Sequence, residues 1–313
     1  MLIKIGTRRS PLALAQTNYV IHLIKQKYPE AEFSLHSITT IADKDRVSEF
    51  HQFGIVGVFS TEHEQQLTSH EVDIVVHSLK DLPTNLAEGL VLAAVPERKD
   101  ARDILCGTTL ADLRHGATIG TGSLRRKAQI LRLRPDVTVV PIRGNIGPRL
   151  ARIDGEDGLD AVILAHAGLQ RLNMAANKAE VMAPEMFPYA VGQGALGIEA
   201  RADDSHILAM LKGIECPKAR AEVDCERAML HALGAGCSLP VGVNAEWKDG
   251  NLVLTGQVTS LNGEECVTAV ETADPADATG LGTRTAEVIR QRGGVKILEH
   301  SYKNFCGHYK FIN

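Results

Sequence analysis

The chain has 313 residues, of which 44% are hydrophobic and 23% are charged, so two or three domains with well-packed cores are expected. Its 34 basic and 38 acidic side chains give a net charge of −4, which argues against nucleic acid or a membrane surface as the partner. Aromatic residues make up only 4%, too few for base-stacking platforms, and no apolar run reaches the roughly 20 residues that a membrane span needs.

The first predicted element is a short strand, Leu2–Ile5, and a helix follows it after one turn. Ser10 as a cap and Pro11 at the first helical position predict the start of this helix, which is expected to run to about Tyr28. Arg8 occupies the turn between strand and helix, where free backbone N–H groups favour anions. The N-terminal residues lack the charged start and long apolar middle of a signal peptide, so a cytoplasmic protein is expected.

The next predicted elements lead to two adjacent charged residues at the end of a buried strand. In chain order they are a strand at Glu32–Thr40, a flexible connection at 42–59, a helix from Ser60 or Thr61 to Leu67, and a strand at Val72–Val76. Lys80 and Asp81 follow this last strand. A carboxylate here can stabilise a developing cation or move a proton, and an ammonium group can hold an anion. The alternative is an exposed loop that carries two ordinary charges.

Two polar or Gly-rich segments predict that the chain crosses twice between two α/β domains. After a strand at Leu90–Pro96, the polar residues Glu97–Asp103 form the first predicted crossing. The return crossing begins at Pro184 and includes the hinge-like, Gly-rich Val191–Gly194. The expected domains are therefore residues 1–96 together with 195–213, residues 97–194, and residues 214–313.

The stretch from Gly120 to Arg149 carries seven Lys or Arg residues and one acid, Asp136. Four elements are predicted around it: a strand at Ala117–Gly120, a helix at Leu124–Leu133 capped by Ser123, a strand at Val137–Ile142, and a short helix for which Asn145 is a candidate cap. The tripeptide Ile5-Gly6-Thr7 recurs here as Ile119-Gly120-Thr121, which supports two similar α/β domains.

Four arginines of this stretch are expected at junctions where strands end and helices begin: Arg125, Arg126, Arg143 and Arg149. Arg171 stands just past the next predicted buried strand, Ala161–Ala165. Ligands bind at this edge of open parallel sheets, and Arg captures carboxylate or phosphate through two parallel hydrogen bonds. The pattern predicts a site for a ligand with several negative charges. The alternative, a solvated helix face, applies most directly to Arg132 and Arg134.

A small third domain is predicted after the return crossing. Its expected elements are a helix from Pro217 to Gly234, an alternating region at Val241–Thr272 with hairpin turns at Asp249-Gly250 and Asn262-Gly263, and a closing helix at Thr283–Gln291.

Cys237 lies among small residues in the loop that follows the first of these helices. A thiol in an open, Gly-rich loop is accessible for covalent attachment, although a tight turn that needs a small residue is the alternative. The six cysteines contain no Cys-x-x-Cys pair, so free thiols and no metal site are expected.

Seven segments, in this order, resemble motifs of the porphobilinogen deaminase family across nearly the whole chain. They are Gly6–Ala13, Val76–Pro83, Gly120–Arg126, Ile142–Asn145, Ala167–Leu172, Ala190–Gly197 and Gly236–Pro240. The resemblance implies an α/β fold: two domains like those of type II periplasmic binding proteins with the active cleft between them, plus a smaller C-terminal α/β domain with an antiparallel sheet. It also implies an enzyme of tetrapyrrole (heme) biosynthesis that joins four porphobilinogen molecules head to tail and releases ammonia each time. Hydrolysis then frees linear hydroxymethylbilane.

Site residues and a cofactor follow from the same resemblance. A dipyrromethane cofactor, joined by a thioether to Cys237, would prime the growing chain without being turned over. Its acid groups would be held by Lys80, Ser123, Arg125, Arg126 and Arg149. The incoming porphobilinogen and the growing chain would be held by Arg8, Ser10, Arg143, Arg149 and Arg171. Asp81 would also contact the cofactor, assist the loss of ammonia and stabilise the azafulvenium-like cation. The expected protein is a cytoplasmic monomer that acts on a small molecule, without metal, nucleic acid or membrane.

The chain departs from the family pattern in three places. Thr40–Asp43 lacks the usual basic residue and glycine, the loop Phe53–Phe59 lacks the lysine of the family's mobile cover, and Gly234–Gly236 replaces Glu-Gly-Gly. An alternative is therefore a degenerate homologue that binds pyrrole carboxylates without efficient turnover. A third hypothesis, an unrelated two-domain anion-binding module, is disfavoured by the missing export signal and by the combination of Lys80, Asp81 and Cys237.

Overall fold

The computed structural model describes residues 2–38, 61–153, 155, 158–235 and 239–306. Its strands are β1 (Leu2–Thr7), β2 (Glu32–Ser37), β3 (Ile74–Ser78), β4 (Leu90–Ala94), β5 (Asp103–Cys106), β6 (Thr118–Gly120), β7 (Thr138–Val140), β8 (Ala161–Ala165), β9 (Ala179–Val181), β10 (Leu196–Arg201), β11 (Val241–Lys248), β12 (Asn251–Thr259) and β13 (Cys266–Ala273). Its helices are α1 (Pro11–Lys27), α2 (Thr61–Thr68), α3 (Leu124–Leu133), α4 (Ile146–Leu150), α5 (His166–Arg171), α6 (Ser205–Lys212), α7 (Pro217–Ala232), α8 (Ala278–Gln291) and α9 (Gly294–Cys306). The predicted flexible connection at 42–59 and Cys237 lie outside the described residues.

Two five-stranded sheets share one topology. The first sheet has the order β2-β1-β3-β10-β4, and the second has the order β7-β6-β8-β5-β9. In each sheet four strands share one direction, and the remaining strand, β10 or β5, runs antiparallel to both of its neighbours. β6 stands in the second sheet where β1 stands in the first, so the repeated tripeptide ends equivalent strands. The predicted fold class, two α/β units with a smaller C-terminal α/β unit that contains an antiparallel sheet, is confirmed.

The chain passes between these sheets twice. The first connection, residues 95–102, leads from β4 to β5, and the second connection, residues 182–195, leads from β9 back to β10. The antiparallel strand of each sheet is thus the first strand after a connection. The two connections also bind each other, because the Lys99 backbone N–H donates to the Gly194 carbonyl at 3.1 Å.

Local signals predicted most of the helix starts correctly. The Ser10 hydroxyl accepts a hydrogen bond from the Ala13 N–H at 3.2 Å, and the helix that begins at Pro11 ends at Lys27. The Ser123 hydroxyl caps α3 by accepting from the Arg126 N–H at 3.4 Å. Asn145 precedes α4 as predicted, but its side chain makes no capping hydrogen bond.

One prediction about the second sheet was wrong, and one of its strands was missed. Asp103 was assigned to a polar crossing, but it begins β5 and is 0% exposed. β9 was not predicted, because three residues carry too little periodicity to stand out. An aspartate in a buried strand reads as a loop residue unless the cations that neutralise it are known.

The third sheet is antiparallel, with the order β11-β12-β13. Its hairpin turns fall at the predicted Asp249-Gly250 and Asn262-Gly263. Helices α7 and α8 pack against each other and against this sheet around one hydrophobic core. The final helix α9 was not predicted.

The third unit, which consists of the third sheet with helices α7, α8 and α9, contacts the chain directly after Lys80 and Asp81. Arg227 of α7 donates to the carbonyl of Leu82 at 3.0 Å and to that of Pro83 at 2.6 Å. Tyr189 of the second connection pairs with Val243 of β11 through two backbone hydrogen bonds of 2.9 and 2.8 Å. The segment after β3, the second connection and the third sheet are therefore held together.

Candidate active site

Lys80 and Asp81 belong to a short 3₁₀ helix, Leu79–Asp81, that directly follows β3. Leu79 is buried and anchors this helix, since its backbone N–H donates to the Ala195 carbonyl at 3.1 Å. Asp81 is exposed, and the Lys80 ammonium donates to the Gln193 Oε1 at 3.4 Å. The strand end thus presents one cation and one carboxylate side by side.

The Lys80 ammonium lies in a cationic environment. Burial, and then the charge of the nearby Arg126, lower its pKa to about 8. Asp81 and Asp103 act in the opposite direction. An ammonium whose charge is this poorly compensated favours an anionic ligand.

Arg125 and Arg126 share one buried carboxylate, Asp103. Arg125 Nη1 lies 2.7 Å from Asp103 Oδ2, and Arg126 Nη2 lies 2.8 Å from Oδ1. Arg125 Nη1 also donates to Gln129 and to the Pro188 carbonyl, so that guanidinium is fixed against the second connection. Burial by itself raises the pKa of Asp103, but the two arginines outweigh it and bring the pKa to about 2.

Arg149 joins the same neighbourhood from α4. Its Nε donates to the Gly144 carbonyl at 2.7 Å. Its pKa is lowered to about 10, first by burial and then by the charge of Arg126, while Asp81 raises it. Arg143 lowers it as well, so these groups lie close enough to feel one another's charge.

The described side chains of this neighbourhood carry an excess of positive charge. They are Lys80, Arg125, Arg126, Arg143 and Arg149 with the acids Asp81 and Asp103. Five cations against two carboxylates leave a charge of +3. The excess, at the ends of strands from both sheets, fits a ligand that carries several carboxylates.

Arg8, Ser10 and Arg171 lie on the α1 side of the site. Arg171 ends α5, which contacts α1, and its Nη2 donates to the Gly194 carbonyl at 2.7 Å. Burial lowers its pKa to about 10, and the α1 residue Tyr19 acts in the opposite direction. Arg8 is half-buried in the turn before α1, and Ser10 caps that helix.

The sequence prediction missed two residues that organise this site, Asp103 and Gln193. Gln193 contacts Lys80, Arg126, Asp103 and the Ala101 carbonyl with one buried side chain. The available signal for Asp103 was its position directly before the apolar run Ile104–Cys106, and for Gln193 its place between two glycines. Among the described residues, no group of three or more His, Cys, Asp or Glu could hold a metal ion.

The fold and site define a class: an α/β protein with two mixed five-stranded sheets, a polycationic ligand site at the strand ends and an added C-terminal α/β unit. Within this class, residues 3–209 match the family model of the porphobilinogen deaminase dipyrromethane cofactor binding domain. Residues 220–291 match the model of the porphobilinogen deaminase C-terminal domain. The chain belongs to the porphobilinogen deaminase family.

Individual relatives agree along nearly the full length. The porphobilinogen deaminase of Nostoc sp. is 42% identical over 302 residues, which covers 95% of this chain and 93% of that protein. That of Brevibacillus brevis is 44% identical over 299 residues, with 94% and 96% covered. Among solved structures, a methionine-bound nutrient binding protein from Burkholderia cenocepacia is similar at 13% identity and a TM-score of 0.41, covering 71% of this chain and 95% of that one.

Proposed function

We propose that the chain is a hydroxymethylbilane synthase. It condenses four porphobilinogen molecules head to tail onto a dipyrromethane primer, with loss of ammonia at each addition, and releases hydroxymethylbilane by hydrolysis. The family membership supports the reaction. The observation that carries the proposal is the cluster of Lys80, Arg126 and Arg149 around the exposed carboxylate Asp81.

Dipyrromethane fits the charge of this cluster. Each pyrrole of the cofactor and of the substrate bears an acetate and a propionate, and the cluster has cations in excess of its own acids. Lys80, Ser123, Arg126 and Arg149 would hold the cofactor's carboxylates. When bound, the cofactor supplies the pyrrole carbon to which the first substrate unit is joined.

Arg125 also belongs to the residues that would hold the cofactor, and its contribution is made through Asp103. Its Nη1 is committed to Asp103, Gln129 and Pro188, so its main contribution is to fix the carboxylate that orients Arg126. Ser123 contributes differently. As a helix cap its oxygen accepts the Arg126 N–H, which leaves its O–H to donate to a ligand carboxylate.

The substrate and the growing chain would be held by Arg8, Ser10, Arg143, Arg149 and Arg171. Ser10 resembles Ser123, because its oxygen also caps a helix while its hydroxyl hydrogen remains available to a carboxylate. Arg171 is anchored to the Gly194 carbonyl of the second connection, so its position follows that segment.

Asp81 would manage the positive charge of each addition. Ammonia leaves with the electron pair of the C–N bond, and the resulting cation is stabilised by the adjacent carboxylate. The neighbouring pyrrole carbon would form the new C–C bond, and Asp81 would accept the proton that this carbon loses. A carboxylate beside a transient cation contributes several kcal/mol, roughly, when water is excluded.

Covalent attachment at Cys237 is the second part of the proposal. This residue lies outside the described residues; in the sequence it follows α7, and Arg227 of that helix binds the segment after Asp81. Residues 1–96 with 195–213, 97–194 and 214–313 would form the three domains.

Among the described residues no helix is long and apolar enough to cross a membrane. A cytoplasmic monomer that binds no nucleic acid is the proposed state.

The intact mass of the purified protein tests the proposal. We expect added mass equal to two linked pyrrole units in the wild-type chain and none in Cys237→Ser. Unmodified wild-type protein from cells that make heme would contradict it. The degenerate homologue, which the family comparisons do not support, would bind porphobilinogen but form no hydroxymethylbilane.

A further inference from the structure

Gln193 stands in the second connection with its backbone closely confined. It is 1% exposed and lies between Gly192 and Gly194, whose φ angles are +71° and +83°. A Cβ at position 194 would lie 2.4 Å from the Lys99 carbonyl oxygen, so the connection approaches its partner without space for a side chain there. The Gln193 carbonyl also accepts from Arg98 Nε at 2.9 Å.

The amide nitrogen of Gln193 faces the first connection and β5. Nε2 donates to the Ala101 carbonyl at 2.7 Å and to Asp103 Oδ1 at 2.9 Å. Both partners are acceptors, which fixes the orientation of the carboxamide, because the flipped group would place its NH₂ against two cations.

The amide oxygen of Gln193 faces those two cations. Oε1 accepts from Lys80 Nζ at 3.4 Å and from Arg126 Nη2 at 3.3 Å. Lys80 follows a strand of the first sheet, and Arg126 lies on a helix of the second. One side chain therefore joins a cation from each sheet to both connections between them.

We infer that Gln193 is a positioning residue that sets the spacing of Lys80 and Arg126 across the two sheets. The functional consequence of this spacing rests on the proposed function: the two cations would be held at the separation that fits two carboxylates of one pyrrole. A neutral oxygen holds the cations without neutralising them, so they stay available to the ligand. A rotation of one sheet relative to the other at the two connections would change the separation of Lys80 and Arg126, and the Gln193 carboxamide contacts both of them.

Competitive acylation of Lys80 with acetic anhydride, followed by peptide mass spectrometry over a pH series, tests the contact directly. The full chain carries Cys237→Ser, so the result does not depend on an attached group. Removal of the oxygen in Gln193→Met destabilises the ammonium, and the midpoint of Lys80 acylation should move to lower pH. If the midpoint falls by one pH unit, acylation at a fixed pH below both midpoints should become about tenfold faster.

Two further variants separate positioning from loosened packing. Gln193→Glu keeps an oxygen toward both cations, so its Lys80 should react no faster than that of the parent chain. Gln257→Met removes a buried carboxamide in the third sheet and should leave the Lys80 midpoint unchanged. Loosened packing would raise the high-pH plateau rather than move the midpoint. An unmoved midpoint in Gln193→Met would overturn the inference.

The chain with Cys237 intact connects the contact to the reaction. Gln193→Met should slow attachment of the two linked pyrrole units to the apoprotein about tenfold, as followed by intact mass, because Lys80 and Arg126 would hold the cofactor's carboxylates. A lowered Lys80 midpoint with an unchanged attachment rate would support the positioning contact and count against the proposed function of the cation pair.

Discussion

Arg98 and Glu226 form a buried two-point ion pair, with Nη1 2.7 Å from Oε1 and Nη2 3.0 Å from Oε2. Arg98 belongs to the first connection, and Glu226 to α7 of the third unit. Glu226 Oε2 also accepts the Gly192 N–H of the second connection at 2.7 Å. A single carboxylate therefore fastens the third unit to both connections, beside the residue that spaces Lys80 and Arg126.

Glu226→Ala should lower the free energy of unfolding by about 3 kcal/mol, because Arg98 would remain buried with only its longer, 3.3 Å contact to Glu222. Chemical denaturation measures this change. Glu287→Ala, the same substitution at an exposed helix pair with Arg290, should have little effect. If both variants lost the same free energy of unfolding, burial of the Arg98–Glu226 pair would not increase its contribution to stability.

The sequence predicted local features well and long-range polar contacts poorly. The Ser10 and Ser123 caps and the hairpin turns depend on residues three or four positions apart, so a single sequence displays them. Arg98 and Glu226 are 128 positions apart, and Gln193 and Asp103 are 90 apart. The residues that flank each of these four positions in the sequence give no indication of its partner. The reason why each side chain is buried is therefore visible only in the folded structure.

Asp103 should make stability depend on acid pH. Burial raises its pKa, but Arg125 and Arg126 lower it from 3.8 to about 2. Since the folded-state pKa is the lower one, the stabilisation is complete above pH 3.8 and is lost as the pH falls through 2. Its size is about 2 kcal/mol. Unfolding free energies measured between about pH 6 and pH 2 should fall less steeply in Asp103→Asn. The same slope in both proteins would assign the acid sensitivity to other carboxylates.

Lys80 should limit ligand binding at alkaline pH. Burial and Arg126 lower its pKa from 10.5 to about 8, so the free protein loses this charge as the pH rises through 8. Because a bound carboxylate stabilises the charged form of Lys80, binding above pH 8 should be accompanied by protonation of the Lys80 amine. We expect attachment of the cofactor to the apoprotein, followed by intact mass, to slow above this pH.

Substitutions identify the group responsible for that alkaline limb. Lys80→Arg should move the limb to higher pH, because a guanidinium stays charged there, although its geometry differs. Lys218→Met, which removes a lysine from above the Trp247 ring in the third unit, should leave the limb in place. A limb near pH 8 that persists in Lys80→Arg would rule out Lys80 as its source.

Asp81→Asn should separate cofactor attachment from turnover. The substitution keeps the size of the side chain and removes the negative charge that influences both Lys80 and Arg149. Loss of a group that stabilises charge or transfers a proton costs about 10²–10⁴-fold in rate, so formation of hydroxymethylbilane should fall by about 10³-fold. The intact mass should still include the two pyrrole units, because several cations of the cluster remain to hold them. Asp203→Asn, at an exposed aspartate next to α6, should retain both the added mass and the rate. Near-normal turnover in Asp81→Asn would remove Asp81 from the chemistry and leave the cations as a binding site alone.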